Sequence, residues 1–230
     1  MAKKVFIGVG HGGTDPGAVA NGFKEKDLNL AIALVCQAVL ARHGVLTKLS
    51  RSKDDSESLT EKINECNQFA PDLALDIHNN AGGGDGAEVF YHYKGGTGKK
   101  LAVNILGEIV KIGQNSRGVK TKINAQGVDA FAFIRNTTAP AVIVECAFLD
   151  NKKDIAIIDT TEEQANMGIA IAKGVLETLG VVYSELAPVN LNTRYRVQVG
   201  AYSVKANAEA MLAKVKAAGF PDAYIAEDVK

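Results

Sequence analysis

Neither sign of charge dominates this 230-residue chain: 26 lysines and arginines stand against 26 aspartates and glutamates. Without a net field to attract nucleic acid or anionic lipid, a polyanion partner is excluded as the main business of the protein. Long apolar runs are also missing, and none approaches the roughly eighteen residues that a membrane span needs. The opening "MAKKVFIGVG" has two lysines but no apolar h-region and no small-residue cleavage site, so no signal peptide is expected. A chain made in the cytoplasm would then need another route to act outside it. Cysteine is scarce as well. Cys36, Cys66 and Cys146 are odd in number, unclustered and set in apolar segments, which reads as three reduced, buried thiols rather than a disulfide framework or zinc knuckle.

What is present is a core-forming content of 47% apolar residues, arranged as alternating short strands and helices. "KKVFIGVG" reads as a buried strand and "DLNLAIALVCQAVLARHG" as a helix, with Leu28, Ala31, Ile32, Val35 and Val39 at helical spacing, Asp27 as N-cap and Gly44 as C′. His43 fits a capping side chain in the last turn of that helix. "VLTKLS" is a second strand, and Ser58-x-x-Glu61 is a capping box opening the next helix. The strands "DLALDIHNN", ending in His78, and "AEVFYHY" follow, then the helix "GKKLAVNILGEIVKIG". An irregular stretch, 115–140, leads to the strand "AVIVE" and a closing helix from Thr161 to Gly180. Strands separated by helices of this length predict an α/β fold, a mostly parallel sheet flanked by helices on both faces. The expected division is a domain over 1–180, a linker over 181–192, and a small incomplete α+β unit over 193–230 made of the strand "RYRVQVGAYS", a helix from Lys205 and the start of a strand at "DAYIA".

Gly8-Val9-Gly10-His11-Gly12-Gly13 fits the letters of a dinucleotide fingerprint, but a pyrophosphate cradle needs a helix to begin inside the motif. Here the glycines run into Thr14-Asp15-Pro16-Gly17, the first helix begins near Asp27, and "LSRS" offers no acidic residue at the end of the second strand. The strand ends suggest something else. His11 follows "VFIGVG", His78 follows "LALDI" and Glu145 follows "AVIV"; in a parallel sheet these carboxyl ends share one edge, where crevices form. Two histidines at such an edge suggest a divalent metal, and a carboxylate is the natural third ligand. Glu25, in the loop that begins with His11, is a candidate, although it equally suits a first-turn acid beside a helix dipole.

With "GHGGTDPGA", "NGFKEKDLNL", "SLTEKINECNQFAPDLALDIHNNA" and "RNTTAPAVIVECAFLDN" in this order, residues 3–180 resemble the zinc-dependent N-acetylmuramoyl-L-alanine amidases that cut bacterial peptidoglycan. The resemblance implies one catalytic zinc ion held by His11, Glu25 and His78, with Glu145 as acid/base, and places Asn80 near the substrate. It departs from the family pattern at Gly8-Val9, at Asp76 where serine is usual, and at Ala147 where glycine is usual. None of these is an implied ligand, though Asp76 can alter the surroundings of His78. An amidase-like module that binds peptidoglycan without cutting it is the alternative. Cys146 as a nucleophile is the rival chemistry, disfavoured because neighbours on a strand face opposite ways; His92 reads as an ordinary strand histidine.

Tyr195 to Ile225 resembles the first half of a SPOR (sporulation-related) repeat, which implies binding to peptidoglycan glycan strands. A complete repeat has a second strand-helix-strand half, and three readings stay open: a truncated sequence, a half that completes itself by packing elsewhere or by self-association with a second copy, and a short appended unit with no binding role of its own. A wall hydrolase without a signal peptide is expected to reach the wall through a phage holin or during mother-cell lysis in a spore former.

Overall fold

The strand Lys4–Val9 (β1) is buried along almost its whole length, as a strand covered on both faces must be. In a computed structural model, which describes residues 2–185, 198–220 and 223–227, it lies inside a six-stranded sheet. The remaining elements of the first unit are Val19–Ala20 (β2), Phe23–Lys24 (β3), Glu25–Arg42 (α1), Leu46–Leu49 (β4), Leu59–Phe69 (α2), Leu73–Asn80 (β5), Ala87–Tyr91 (β6), Thr97–Lys111 (α3), Ser116–Lys120 (β7), Ala132–Asn136 (α4), Ala141–Phe148 (β8), Lys152–Ile155 (α5) and Thr161–Leu179 (α6). The sheet order is β4-β1-β5-β8-β6-β7. β4, β1, β5 and β8 are mutually parallel, while β6 runs antiparallel to β8 and pairs in parallel with β7.

Alternation along the strands divides the core into two layers. Val5, Ile7 and Val9 of β1, and Val142, Val144 and Cys146 of β8, pack with α1, α3 and α6. Phe6, Ala74, Ala141 and Ile143 face the other way, onto Ile63 and Cys66 of α2 and Phe133 and Ile134 of α4. The chain leaves β1 for β4 on one side and returns for β5 on the other. Because crossovers are right-handed, this reversal puts α1 and α2 on opposite faces. It also makes the gap between the carboxyl ends of β1 and β5 the switch point where a crevice opens.

Several expectations need correction. α1 begins at Glu25 with Lys24 as N-cap, so Asp27 is an exposed first-turn residue and not the cap. The hairpin β2–β3 feeds directly into the helix, and the Glu25 and Lys26 amides are already tied to the Ala18 and Pro16 carbonyls. Glu25 is therefore on the helix and not in the loop. β5 runs two residues past His78 and β8 three past Glu145. His92 lies just outside β6, with Nε2 3.1 Å from an Asp129 carboxylate oxygen. The stretch 115–140 contains β7 and α4; β7 was hidden because it is an edge strand with a single apolar side chain, Val119. The Ser58/Glu61 capping box and the Gly44 and His43 C-terminal devices form as expected, His43 Nδ1 lying 2.7 Å from the Val39 carbonyl.

The chain divides into two compact units, Met1–Ser184 and Glu185–Lys230. In the second, the helix Lys205–Ala217 (α7) is present. The expected linker beyond residue 185 and the first four residues of "RYRVQVGAYS" lie outside the described residues. The part of that strand over 198–202 and the residues 223–226 of "DAYIA" form no strand. Among the described residues, no helix is long and apolar enough to cross a membrane.

Candidate metal centre and active site

Gly10, His78, Glu145 and Glu88 form one row across four strand ends. The Gly10 amide bonds to the Ile77 carbonyl, His78 pairs in register with Glu145, and Glu145 with Glu88. Their shared parity directs the side chains to the α2/α4 face of the sheet. His11 follows in the loop, at φ +59°. That conformation costs a non-glycine residue about 1–2 kcal/mol, and the ring is tethered on both sides, with Nδ1 2.7 Å from Asp15 Oδ2 and Nε2 3.0 Å from Glu25 Oε2.

Glu25 is the hub. It is 3% exposed and accepts hydrogen bonds from the Ala18 amide (3.0 Å) on one oxygen and from the Asn79 amide (3.1 Å) and Asn29 Nδ2 (3.2 Å) on the other. His78 Nδ1 lies 3.0 Å from that second oxygen. Burial pushes the Glu25 carboxyl up, but the bonds from His11 and His78 outweigh it and hold it well below the usual carboxylate range. The Glu25 bond raises His11 against the effect of burial. Burial lowers His78, and the carboxylates of Asp76 and Glu25 more than reverse this.

One ligand atom each from His11, Glu25 and His78 can be chosen so that all lie within 4.8 Å of one another. Two imidazole nitrogens and one carboxylate oxygen suit a four-coordinate divalent metal with one position left for water. Each histidine has a carboxylate at its other nitrogen: Asp15 at His11, and Asp76 Oδ2 at 3.5 Å from His78 Nε2. Such partners fix the ring orientation of metal-binding histidines.

Glu145 is in the same row, and one of its oxygens is buried without a hydrogen-bond partner among the described residues. Burial pushes its carboxyl up to about 7; His78 opposes the rise, while Glu25 and Glu88 add to it. Cys146 points the other way, fully buried in the apolar layer, where burial raises its thiol far above the ordinary value. A thiol held neutral on the far side of the sheet cannot serve as the nucleophile.

A family model described as N-acetylmuramoyl-L-alanine amidase matches residues 5–177. This chain belongs to that family. It is 33% identical over 229 residues to the sporulation-specific N-acetylmuramoyl-L-alanine amidase of Bacillus subtilis, covering 98% of this chain and 85% of the relative. The catalytic domain of the amidase CwlV from Bacillus (Paenibacillus) polymyxa var. colistinus superposes with a TM-score of 0.71 at 29% identity, covering 78% of this chain and 99% of that one. Cwp6 from Clostridium difficile gives 0.77 at 37%, covering 78% and 30%. A SPOR domain model matches residues 191–230.

In this amidase the sequence-predicted His11, Glu25, His78 and Glu145 are brought together. Asn80 Nδ2 donates to Glu88 Oε1 at 3.1 Å. Sequence reading missed Lys62, which is buried and donates to both Asp76 oxygens (3.0 and 3.3 Å) and to the Val9 carbonyl (3.2 Å). Its signal was a lysine beside Ile63 and one turn before Cys66, on the face that α2 buries. The glycines of the opening motif also have a second task. A Cβ on Gly10 would fall 2.4–2.6 Å from the His78 ring. Gly10→Ala is expected to displace that ring, costing about 1–3 kcal/mol of stability and about tenfold or more in metal affinity. Chelator competition on the purified protein checks this, and an unchanged affinity would show that Gly10 does not set the ring's position.

Proposed function

We propose that this chain hydrolyses the amide between the lactyl group of N-acetylmuramic acid and the L-alanine of the stem peptide. His11, Glu25 and His78 hold one zinc ion, and Glu145 is the acid/base. The observation that carries the reading is the convergence of a two-histidine, one-carboxylate donor set with the Glu145 carboxyl in register beside His78. Zinc bound there supplies a Lewis acid for the amide carbonyl and a water of lowered pKa. Glu145 takes a proton from the attacking water and returns one to the amide nitrogen. The C–N bond breaks to leave a lactyl carboxylate and the free amine of L-alanine. A carboxyl near neutrality suits both halves of this exchange. Asp15 and Asp76 act on the rings of His11 and His78 and do not touch substrate. The C-terminal unit, through its SPOR-like segment, holds the glycan strand.

Metal analysis combined with mass spectrometry of digested walls tests both metal and bond. One zinc per chain, loss of at least about 99% of hydrolysis with chelator, recovery on adding zinc, and products carrying a new N-terminal L-alanine are expected, since removing the metal removes an effect worth several kcal/mol. Full activity in metal-free protein would overturn the role of zinc. Binding to walls with no released amine would support the binding-module alternative.

A further inference from the structure

The charged cluster around Glu88 exceeds what structural pairing requires. Glu88 is 6% exposed and stands opposite Glu145 across β6 and β8. One oxygen accepts from Asn80; the other accepts from Arg117 Nε at 2.8 Å and from Lys120 Nζ. Two cations, Arg117 and Lys120, share one Glu88 oxygen. Arg117 reaches Glu88 only through Nε, and its guanidinium carbon lies 4.9 Å over the Phe148 ring. Nη1 and Nη2 make no hydrogen bond among the described residues. A planar fork fixed at its base with two free donors is suited to bidentate capture of a carboxylate.

The direction of the substrate follows from the amidase reading, on which this inference rests. Glu145 returns a proton to the leaving nitrogen, so the L-alanine side of the substrate lies toward β8, and β6 and β7 continue the sheet beyond it. In peptidoglycan the next residue is D-glutamate joined onward through its γ-carboxyl, leaving the α-carboxyl free or amidated. That carboxyl carbon lies at most about 6 Å from the leaving nitrogen, a little more than the roughly 4.8 Å between neighbouring strands. The span carries it from Glu145 to the neighbourhood of Glu88, where the Arg117 guanidinium, reaching back from β7, is anchored by its Nε. We propose that Arg117 is a specificity-determining residue that binds the free α-carboxylate of the second stem residue, so that the chain prefers isoglutamate stems to isoglutamine stems.

The test uses the full zinc-loaded chain and two purified disaccharide-tetrapeptides that differ only in that carboxylate or amide. The native chain should cleave the carboxylate form with a kcat/KM about ten- to a hundredfold higher, carried mainly by KM, as expected for hydrogen bonds to a charged group. Arg117→Gln should erase that preference, lowering cleavage of the carboxylate form about ten- to a hundredfold more than cleavage of the amide form. Arg117→Lys should restore part of it, because charge remains without the fork. Equal cleavage of both substrates by the native chain, or an equal loss on both in Arg117→Gln, would overturn the assignment. Failure of the native chain to release L-alanine from either would overturn the amidase reading itself.

Discussion

Replacing Glu145 with glutamine is expected to leave zinc content and fold intact while lowering hydrolysis by about 10²–10⁴-fold, the range attributed to a positioned acid/base. The structure explains why the two effects separate. Glu145 is not among the three converging ligand residues, and one of its oxygens has no partner among the described residues, so no hydrogen bond to that oxygen is lost. A neutral amide also removes a carboxyl that burial and the neighbouring Glu25 and Glu88 already disfavour as an anion. The melting temperature should therefore stay level or rise slightly. Glutamine can neither accept the water's proton nor protonate the leaving amine. Metal analysis, a thermal melt and quantification of released L-alanine termini together check the result. Retention of more than about a tenth of native activity would exclude the acid/base role.

The metal-site candidates were legible in the sequence because each depends on a strand end, and strand ends are marked by local signals. The apolar runs before His11, His78 and Glu145 are broken there by ionisable residues near the carboxyl ends of the strands, and a parallel sheet brings such ends to one edge. Glu25 was harder, since a first-turn acid is common on any helix; only the fold shows both of its oxygens facing histidines. The dinucleotide fingerprint failed for a physical reason: the first helix after Gly13 begins at Glu25. The supporting charges were not legible. Lys62 is fourteen residues from Asp76, and Arg117 is twenty-nine from Glu88; such pairings follow from sheet order and register, which local periodicity does not encode. β7 escaped notice for a related reason, because an edge strand half open to solvent needs little apolar patterning.

Lys62→Met is expected to cost about 3–5 kcal/mol near neutral pH, the usual cost of leaving one charge of a buried pair alone. Lys62 and Asp76 are both almost fully buried. Burial pushes the Asp76 carboxyl up, and the Lys62 ammonium and His78 outweigh it, holding it well below the usual range. A carboxyl depressed in the folded state adds stability that is present above its unfolded value near 4 and fades as the pH falls through the folded one. Without Lys62 the sign reverses: burial dominates, and folding disfavours the ionised form. The deficit of the variant should therefore be greatest at pH 7–8 and shrink as the pH drops toward 4, because the variant is relieved as its Asp76 takes up a proton in the folded state, while the native Asp76, held by Lys62, stays ionised. Urea unfolding across that range, with a melting temperature about 10 °C lower at pH 7, is the measurement. Lys62→Met combined with Asp76→Asn should recover much of the loss, since removing both charges costs less than removing one. Its zinc affinity should nonetheless stay below that of the native chain, because His78 has lost the carboxylate behind its ring. A deficit independent of pH, or no recovery in the double variant, would mean that Lys62 contributes by packing its stem against α2 and not by holding Asp76.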